Sequence, residues 1–293
     1  MLPPDILRQI RRLQIRARRA VQTLLGGEYH SAFKGSGLSF EDVREYQPGD
    51  DVRQIDWNVT ARSHAPFVKR YIEERELTLL LLVDVSGSLR FGTQVHTKRQ
   101  VAAELAALVA FCAISNNDRI GLMACTDRVE RTVRPNKGTR HVLRLLRDIL
   151  YFEPEHRGTN LAVAFDHLNA IQKRRAIVFA ISDFLGDGFE RSLRRTAQQH
   201  DLICVRIGDV REWELPDVGL VQLRDAETDS PILIDTSSES IRAEYGLEKS
   251  ERRAAFGKLV RASGSDLVDV GTKGDHREEL LKFFRRRERL SKR

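Results

Sequence analysis

Between residues 76 and 208 the chain repeats one pattern, a short apolar run followed by a longer stretch with apolar residues three and four apart. The runs at 77–84, 119–125, 176–182 and 202–207 are apolar on both faces and predict buried strands. A shorter run at 129–133 predicts a strand paired in a hairpin with 119–125. The intervening stretches 97–114, 139–150, 160–171 and 187–200 predict helices. Strands apolar on both faces that alternate with helices form a mainly parallel sheet covered on each side. The expected fold is α/β, a three-layer Rossmann-like sheet with helices on both faces.

The flanks read differently. Ile6, Ile10, Leu13, Ala17, Val21 and Leu24 predict a helix over 6–25, entered after Pro3-Pro4 and ended by Gly26-Gly27. Residues 28–64 have little apolar periodicity and read as an extended, irregular arm. Residues 66–74 alternate apolar and charged side chains, as a half-exposed strand does. Beyond Gly208, 218–223 and 231–235 predict a hairpin, 238–262 a long charged helix, 266–270 a last core strand and 276–286 a last helix. The expected division is an N-terminal basic helix and arm over 1–75 and an α/β domain over 76–293, with a hairpin insertion near 211–237.

At 293 residues, 41% of them hydrophobic, the chain has material for one large domain or a domain with a smaller companion. Its formal charge is +7. Arg8, Arg11, Arg12, Arg16, Arg18 and Arg19 crowd one end, and Lys282, Arg285, Arg286, Arg287, Arg289, Lys292 and Arg293 the other. The arginine face of the first helix is either a surface for an anionic partner or simply a solvated face. Cys112, Cys125 and Cys204 sit singly in apolar segments without a CxxC pair, which fits core thiols in a reducing compartment. No apolar run is long enough to span a bilayer, and no charged-then-apolar leader opens the chain. A cytoplasmic location is expected.

The candidate chemistry lies where the apolar runs stop. Leu79 to Val83 ends in Asp84, followed by Ser86 and Ser88. Thr159 follows Gly158, and the run at 176–182 ends in Ser182-Asp183. One carboxylate with two hydroxyls at a strand end suits a small hard cation, Mg2+ or else Mn2+ or Ca2+. Asp and Ser also serve as turn and cap residues, so Asp-x-Ser-x-Ser alone carries little. Together, Asp84, Ser86, Ser88, Thr159 and Asp183 resemble the metal-ion-dependent adhesion site of von Willebrand factor A domains. Asp84 and Asp183 only balance a divalent ion, and neutral hydroxyls leave it attractive to a further carboxylate.

A second motif, GSGLSFEDVREYQPGDDVRQIDWNVTAR over 35–62, resembles the signature of the bacterial "domain of unknown function 58" proteins. The resemblance continues through Glu73-Glu74-Arg75-Glu76 and covers roughly 29–207. Ser39 departs from it where many relatives are acidic, and the membrane helices of longer relatives are missing. The resemblance implies a signature arm joined to a von Willebrand factor A-like domain. It also implies a MoxR-type AAA+ ATPase as partner, acting with it to assemble or activate an unidentified client protein. In the arm, Arg44, Tyr46, Asp50, Asp51, Arg53, Asp56, Trp57 and Arg62 would clamp the segment or dock a partner. Asp50 and Asp51 beside Arg53 suggest bidentate Arg-carboxylate pairs, with Ile55 and Trp57 as apolar anchors.

Two other functions fit the sequence less well. A metal-dependent nuclease or phosphohydrolase would need converging carboxylates, but the second position after the strand is Ser86, where haloacid-dehalogenase phosphatases have an acid. A nucleic-acid-binding module would use the basic termini, but these lack interleaved aromatics and a helix-turn-helix pattern. Neither Gly35-Ser36-Gly37 nor Asn136-Lys137-Gly138-Thr139 completes a nucleotide loop. The expectation is a non-enzymatic interaction adaptor without specific nucleic-acid binding.

Overall fold

Before the α/β repeat, the chain lays down α1 (Pro4–Ala20), α2 (Gly26–Phe33), β1 (Ser39–Glu45), the one-turn α3 (Trp57–Thr60) and β2 (Phe67–Ile72). The structure is a computed structural model describing residues 4–22, 26–33, 39–63, 65–72, 76–224 and 230–291. Motif residues 35–38 and 73–75, Leu24, the hairpin tip at 225–229 and the last two basic residues lie outside the described residues.

The repeat follows as β3 (Thr78–Asp84), α4 (Lys98–Ser115), β4 (Arg119–Cys125), β5 (Val129–Asn136), α5 (Thr139–Tyr151), α6 (Leu161–Ile171), β6 (Ile177–Ser182), α7 (Glu190–Gln199) and β7 (Asp201–Gly208). Then come β8 (Leu220–Arg224), β9 (Pro231–Asp235), α8 (Glu239–Ala262), β10 (Asp266–Gly271) and α9 (His276–Ser291). Six strands make the central sheet in the order β10-β7-β6-β3-β4-β5. All neighbours are parallel except β4 and β5, the hairpin pair. Separate two-stranded sheets join β1 to β2 and β8 to β9.

Side-chain alternation along β3 divides the core. Leu79, Leu81 and Val83 pack in the layer that holds α1, α2, α4, α5 and α9. Leu80 and Leu82 pack opposite, with residues of α6, α7 and α8. The fold is therefore three-layered, with helices on both faces of a mainly parallel sheet. Helix α4 is apolar on nearly every side because the sheet, α1, α5 and α9 enclose it. Thr97 caps it through the Gln100 amide, and Gln100 reciprocates. All three cysteines are buried free thiols. Among the described residues, no helix is long and apolar enough to cross a membrane.

The N-terminal segment departs from the sequence reading. Gly26-Gly27 does not stop a helix but opens α2, and α1 ends at Ala20. Tyr29 and Phe33, four residues apart, put one face of α2 against Phe284 of α9, with ring centroids 5.8 Å away in both cases. Tyr29 also donates to Asp118 Oδ2 at 2.9 Å. Eight residues are too few for periodicity to announce a helix, and tertiary packing decides it. Helix α9 runs to Ser291 because Arg287 is held by Asp201, by Asp266 at 3.0 Å and by the Ala32 carbonyl at 3.1 Å.

Candidate functional site

Strands β3 and β6 are adjacent and parallel in the middle of the sheet. From β3 the chain crosses to β4 on one side, and from β6 to β7 on the other. Their carboxyl ends therefore flank a topological switch point, where open α/β sheets leave a crevice for ligands. Asp84 ends β3, and Ser182-Asp183 ends β6.

The sequence-predicted residues converge there from three loops. Asp84 is fully buried; its Oδ1 accepts the Ser86 N–H at 2.8 Å and its Oδ2 accepts the Ser182 hydroxyl at 2.7 Å. The Ser86 and Ser88 hydroxyls are 3.1 Å apart. The Gly87 N–H donates to the Arg157 carbonyl at 2.9 Å, which draws in the loop carrying Thr159. A Cβ placed on Gly186 would lie 3.9 Å from Thr159 Cγ2, so the loop after Asp183 closes against the same threonine. Thr159 Oγ1 is buried without a hydrogen-bond partner. Asp183 Oδ1 accepts the Leu185 N–H at 3.3 Å. The turn between them holds Phe184 at φ 54°, a conformation uncommon for a bulky side chain.

A lysine that the sequence reading did not single out completes the cluster. Lys98, the first residue of α4, is fully buried and donates to Asp183 Oδ2 at 2.7 Å and to Glu212 Oε1. Burial opposes its charge, but the two carboxylates outweigh burial and hold the ammonium above the usual lysine range. Burial pushes the Glu212 carboxyl up, with Lys98 acting against it. Burial first, and then the charge of Asp183, push the Asp84 carboxyl up to about 6. Glu212 Oε2 accepts the Asp209 N–H at 2.9 Å. Asp209 is in turn tied to Thr93 N at 2.9 Å and to the Thr272 hydroxyl at 2.6 Å.

This donor set fits a divalent hard cation. It offers carboxylate and hydroxyl oxygens, each carboxylate oxygen can accept more than one bond, and Thr159 Oγ1 is an orphan. Three carboxylates against one ammonium leave the buried cluster at −2 when all are ionised. Among the described residues no group of three or more His, Cys, Asp or Glu side chains could hold a metal ion, so the hydroxyls are integral to any such site.

The arm residues form a second, separate cluster. Arg44 on β1 grips Asp50 bidentately at 2.8 and 2.7 Å and holds its carboxyl below the usual range. The sequence reading gave this pairing to Arg53, but Arg53 enters through its backbone N–H, which Asp51 Oδ1 accepts at 2.9 Å. Asp56 caps α3 through the Asn58 and Val59 amides at 3.0 and 3.3 Å. The Tyr46 N–H donates to the Pro66 carbonyl at 2.8 Å and the Arg62 N–H to the Val59 carbonyl at 3.0 Å. Ile55 bridges Val68 on β2. Trp57 is not an anchor: it is 66% exposed, on a one-turn helix that buries none of its residues.

The model of the family described as "Protein of unknown function DUF58" matches residues 42–255. The chain belongs to this family. An uncharacterized protein of Mycobacterium tuberculosis and one of Mycobacterium bovis are each 33% identical to this DUF58 chain over 290 residues, 98% of it and 91% of the relative. Among solved structures, the conserved hypothetical protein BatB from Bacteroides thetaiotaomicron is similar at 13% identity and a TM-score of 0.44, covering 73% of this chain and 99% of that one. A von Willebrand factor type A structure from Catenulispora acidiphila is similar at 16% identity and a TM-score of 0.35, over 59% and 42%.

Sequence reasoning missed three site residues in this DUF58 protein. Ser182 was visible as the last residue of an apolar run, yet nothing marked it as the donor to Asp84. Lys98 and Arg99 did leave a signal, two cations in the first turn of a helix whose dipole disfavours them there. Such cations need partners, and the structure supplies them: carboxylates for Lys98, and for Arg99 the Ile149 carbonyl at 2.8 Å together with that of Phe152. Glu212 carried no signal of its own.

Proposed function

We propose that this DUF58 protein is a non-enzymatic interaction adaptor whose partner contact is completed by a divalent cation at Asp84, Ser86, Ser88, Thr159 and Asp183. The observation that carries the reading is the unpartnered, buried Thr159 Oγ1 in a loop drawn against both the Asp84 and Asp183 loops. Mg2+ is the preferred ion on donor chemistry, with Mn2+ or Ca2+ as substitutes. Bound there, it would supply a positive centre to which a partner's carboxylate adds its charge. Ser86, Ser88 and Thr159 would hold the ion without cancelling its charge, and Asp84 and Asp183 would orient it. The partner is a MoxR-type AAA+ ATPase, engaged on the cytoplasmic side, with a client protein as the object of the pair. The arm, clamped by Arg44 and Asp50 and presenting Trp57, provides an additional contact surface.

The test is calorimetric titration of Mg2+, Mn2+ and Ca2+ into wild type and Asp84→Ala, followed by capture of a purified MoxR-type ATPase in magnesium or in chelator. One ion bound by wild type, lost in the variant and required for capture, is the expected result. Unchanged magnesium affinity in Asp84→Ala would sink the site. Capture that ignores chelator would move the interaction to the arm.

A further inference from the structure

The positive charge of this protein is concentrated on one face. Helices α1 and α5 together carry nine arginines and two aspartates, a net +7. This equals the formal charge of the whole chain, so the remainder is neutral on balance. The two helices are neighbours, and both also pack on α4. Arg18 staples them, donating to Thr139 Oγ1 at 3.0 Å while its guanidinium lies 5.7 Å from the centroid of the Phe111 ring.

Along α1 the inner positions Ile10, Ala17 and Ala20 are buried. Arg8, Arg11, Arg12, Ile15, Arg16 and Arg19 follow one another at helical spacing on the exposed side. Arg140 and Arg144 are exposed on α5. Asp148 is buried beneath them and held by Arg131 at 2.9 Å and Arg147 at 2.7 Å, so it does not offset the surface. At the centre of the arginine stripe, Ile15 is 53% exposed.

We infer that the α1–α5 face is a docking surface for an anionic lipid bilayer. A stripe about 17 Å long, from Arg8 to Arg19 of a helix lying flat on its neighbours, matches a plane. The arginines would meet lipid phosphates, and Ile15 would enter the boundary between headgroups and acyl chains. Duplex DNA fits this face poorly. A major-groove reader must project its helix from the body, whereas α1 is held along its inner side by Ile10, Ala17 and Ala20. The surface is independent of the metal site and stands or falls separately from it.

The experiment is vesicle co-flotation of the full chain with phosphatidylcholine alone and with equal parts phosphatidylcholine and phosphatidylglycerol, beside a duplex DNA binding assay. Wild type is expected to float with the anionic vesicles only, less so as salt rises. Arg11→Glu/Arg12→Glu/Arg16→Glu should weaken this by more than about tenfold, and Arg140→Glu/Arg144→Glu several-fold, with magnesium binding and circular dichroism unchanged. Ile15→Ser should weaken flotation several-fold while leaving its salt dependence, a change that charge alone does not explain. Absence of flotation, equal flotation of the triple variant, or tight DNA binding without flotation would each overturn the inference.

Discussion

Lys98 Nζ lies 2.7 Å from Asp183 Oδ2, joining residues 85 positions apart at the carboxyl end of the sheet. The ammonium is a tethered cation on one of the two carboxylates proposed to hold the metal. Removing one member of a buried ion pair leaves the other charge uncompensated, at a cost of about 3–5 kcal/mol. Lys98→Met is therefore expected to lose that much unfolding free energy in chelator, as read by urea denaturation. Saturating magnesium should restore part of it, because a dication brings back the missing positive charge. A deficit indifferent to magnesium would mean that Lys98 serves Glu212 and the turn at 209–213 rather than the site.

The buried Asp84 gives a pH dependence with a definite sign. Its carboxyl titrates at about 6 in the folded protein, against about 4 in the unfolded chain. Between these values the folded state binds the extra proton, so stability falls as pH rises from about 4 to about 6, by about 3 kcal/mol. In chelator, wild type should show this decline relative to Asp84→Asn, which has no carboxyl to ionise. Magnesium should flatten the difference by favouring the ionised form. Parallel pH profiles of the two proteins in chelator would contradict the assignment.

Gly208 ends β7 beneath the turn that carries Glu212. A Cβ there would lie 2.6 Å from Trp213 Cζ2, and the indole is a rigid neighbour with the Arg253 guanidinium 5.3 Å from its centroid. Gly208→Ala should cost about 1–3 kcal/mol in thermal or urea unfolding. It should also shift tryptophan emission to the red as the ring is displaced. Unshifted emission would show that the turn absorbs the methyl group without moving Trp213.

In the arm, exposure separates stability from contact. Trp57→Ala should change unfolding free energy by less than about 0.5 kcal/mol, because its side chain is mostly in water. Asp56→Ala removes the acceptor of the Asn58 and Val59 amides, a loss of about 1 kcal/mol of local stability. Hydrogen exchange at those two amides should then speed roughly fivefold without a change in the core. Destabilisation of the whole chain by Trp57→Ala would place the indole in a packed contact.

The central sheet was legible because β3, β4, β6 and β7 are buried on both faces, and their apolar runs stop at Asp84, Cys125, Ser182 and Gly208. The same strand ends located the Asp84 and Asp183 loops. Helix α2 was hidden by its length and its two glycines, since what makes it helical is Phe284, far along the chain. The Lys98–Glu212 pair spans 114 positions and follows from the order of strands rather than from any local pattern. The Arg44–Asp50 clamp was anticipated in kind but given to the nearer arginine, because β1 turns back at Pro48-Gly49 and returns Asp50 to Arg44.

The loops around Asp84, Thr159 and Asp183, with Lys98 and Glu212 behind them, draw on chain segments that meet only after β7 and the turn beyond it are in place. During synthesis, a ribosome-bound chain that has released β3 to β6 carries most of the donor atoms but not the Glu212 that shares Lys98. Timing is thus built into the order of the strands: the crevice lacks its full complement of charge until the turn that carries Glu212 has emerged and folded, so its electrostatics change while the chain is being made.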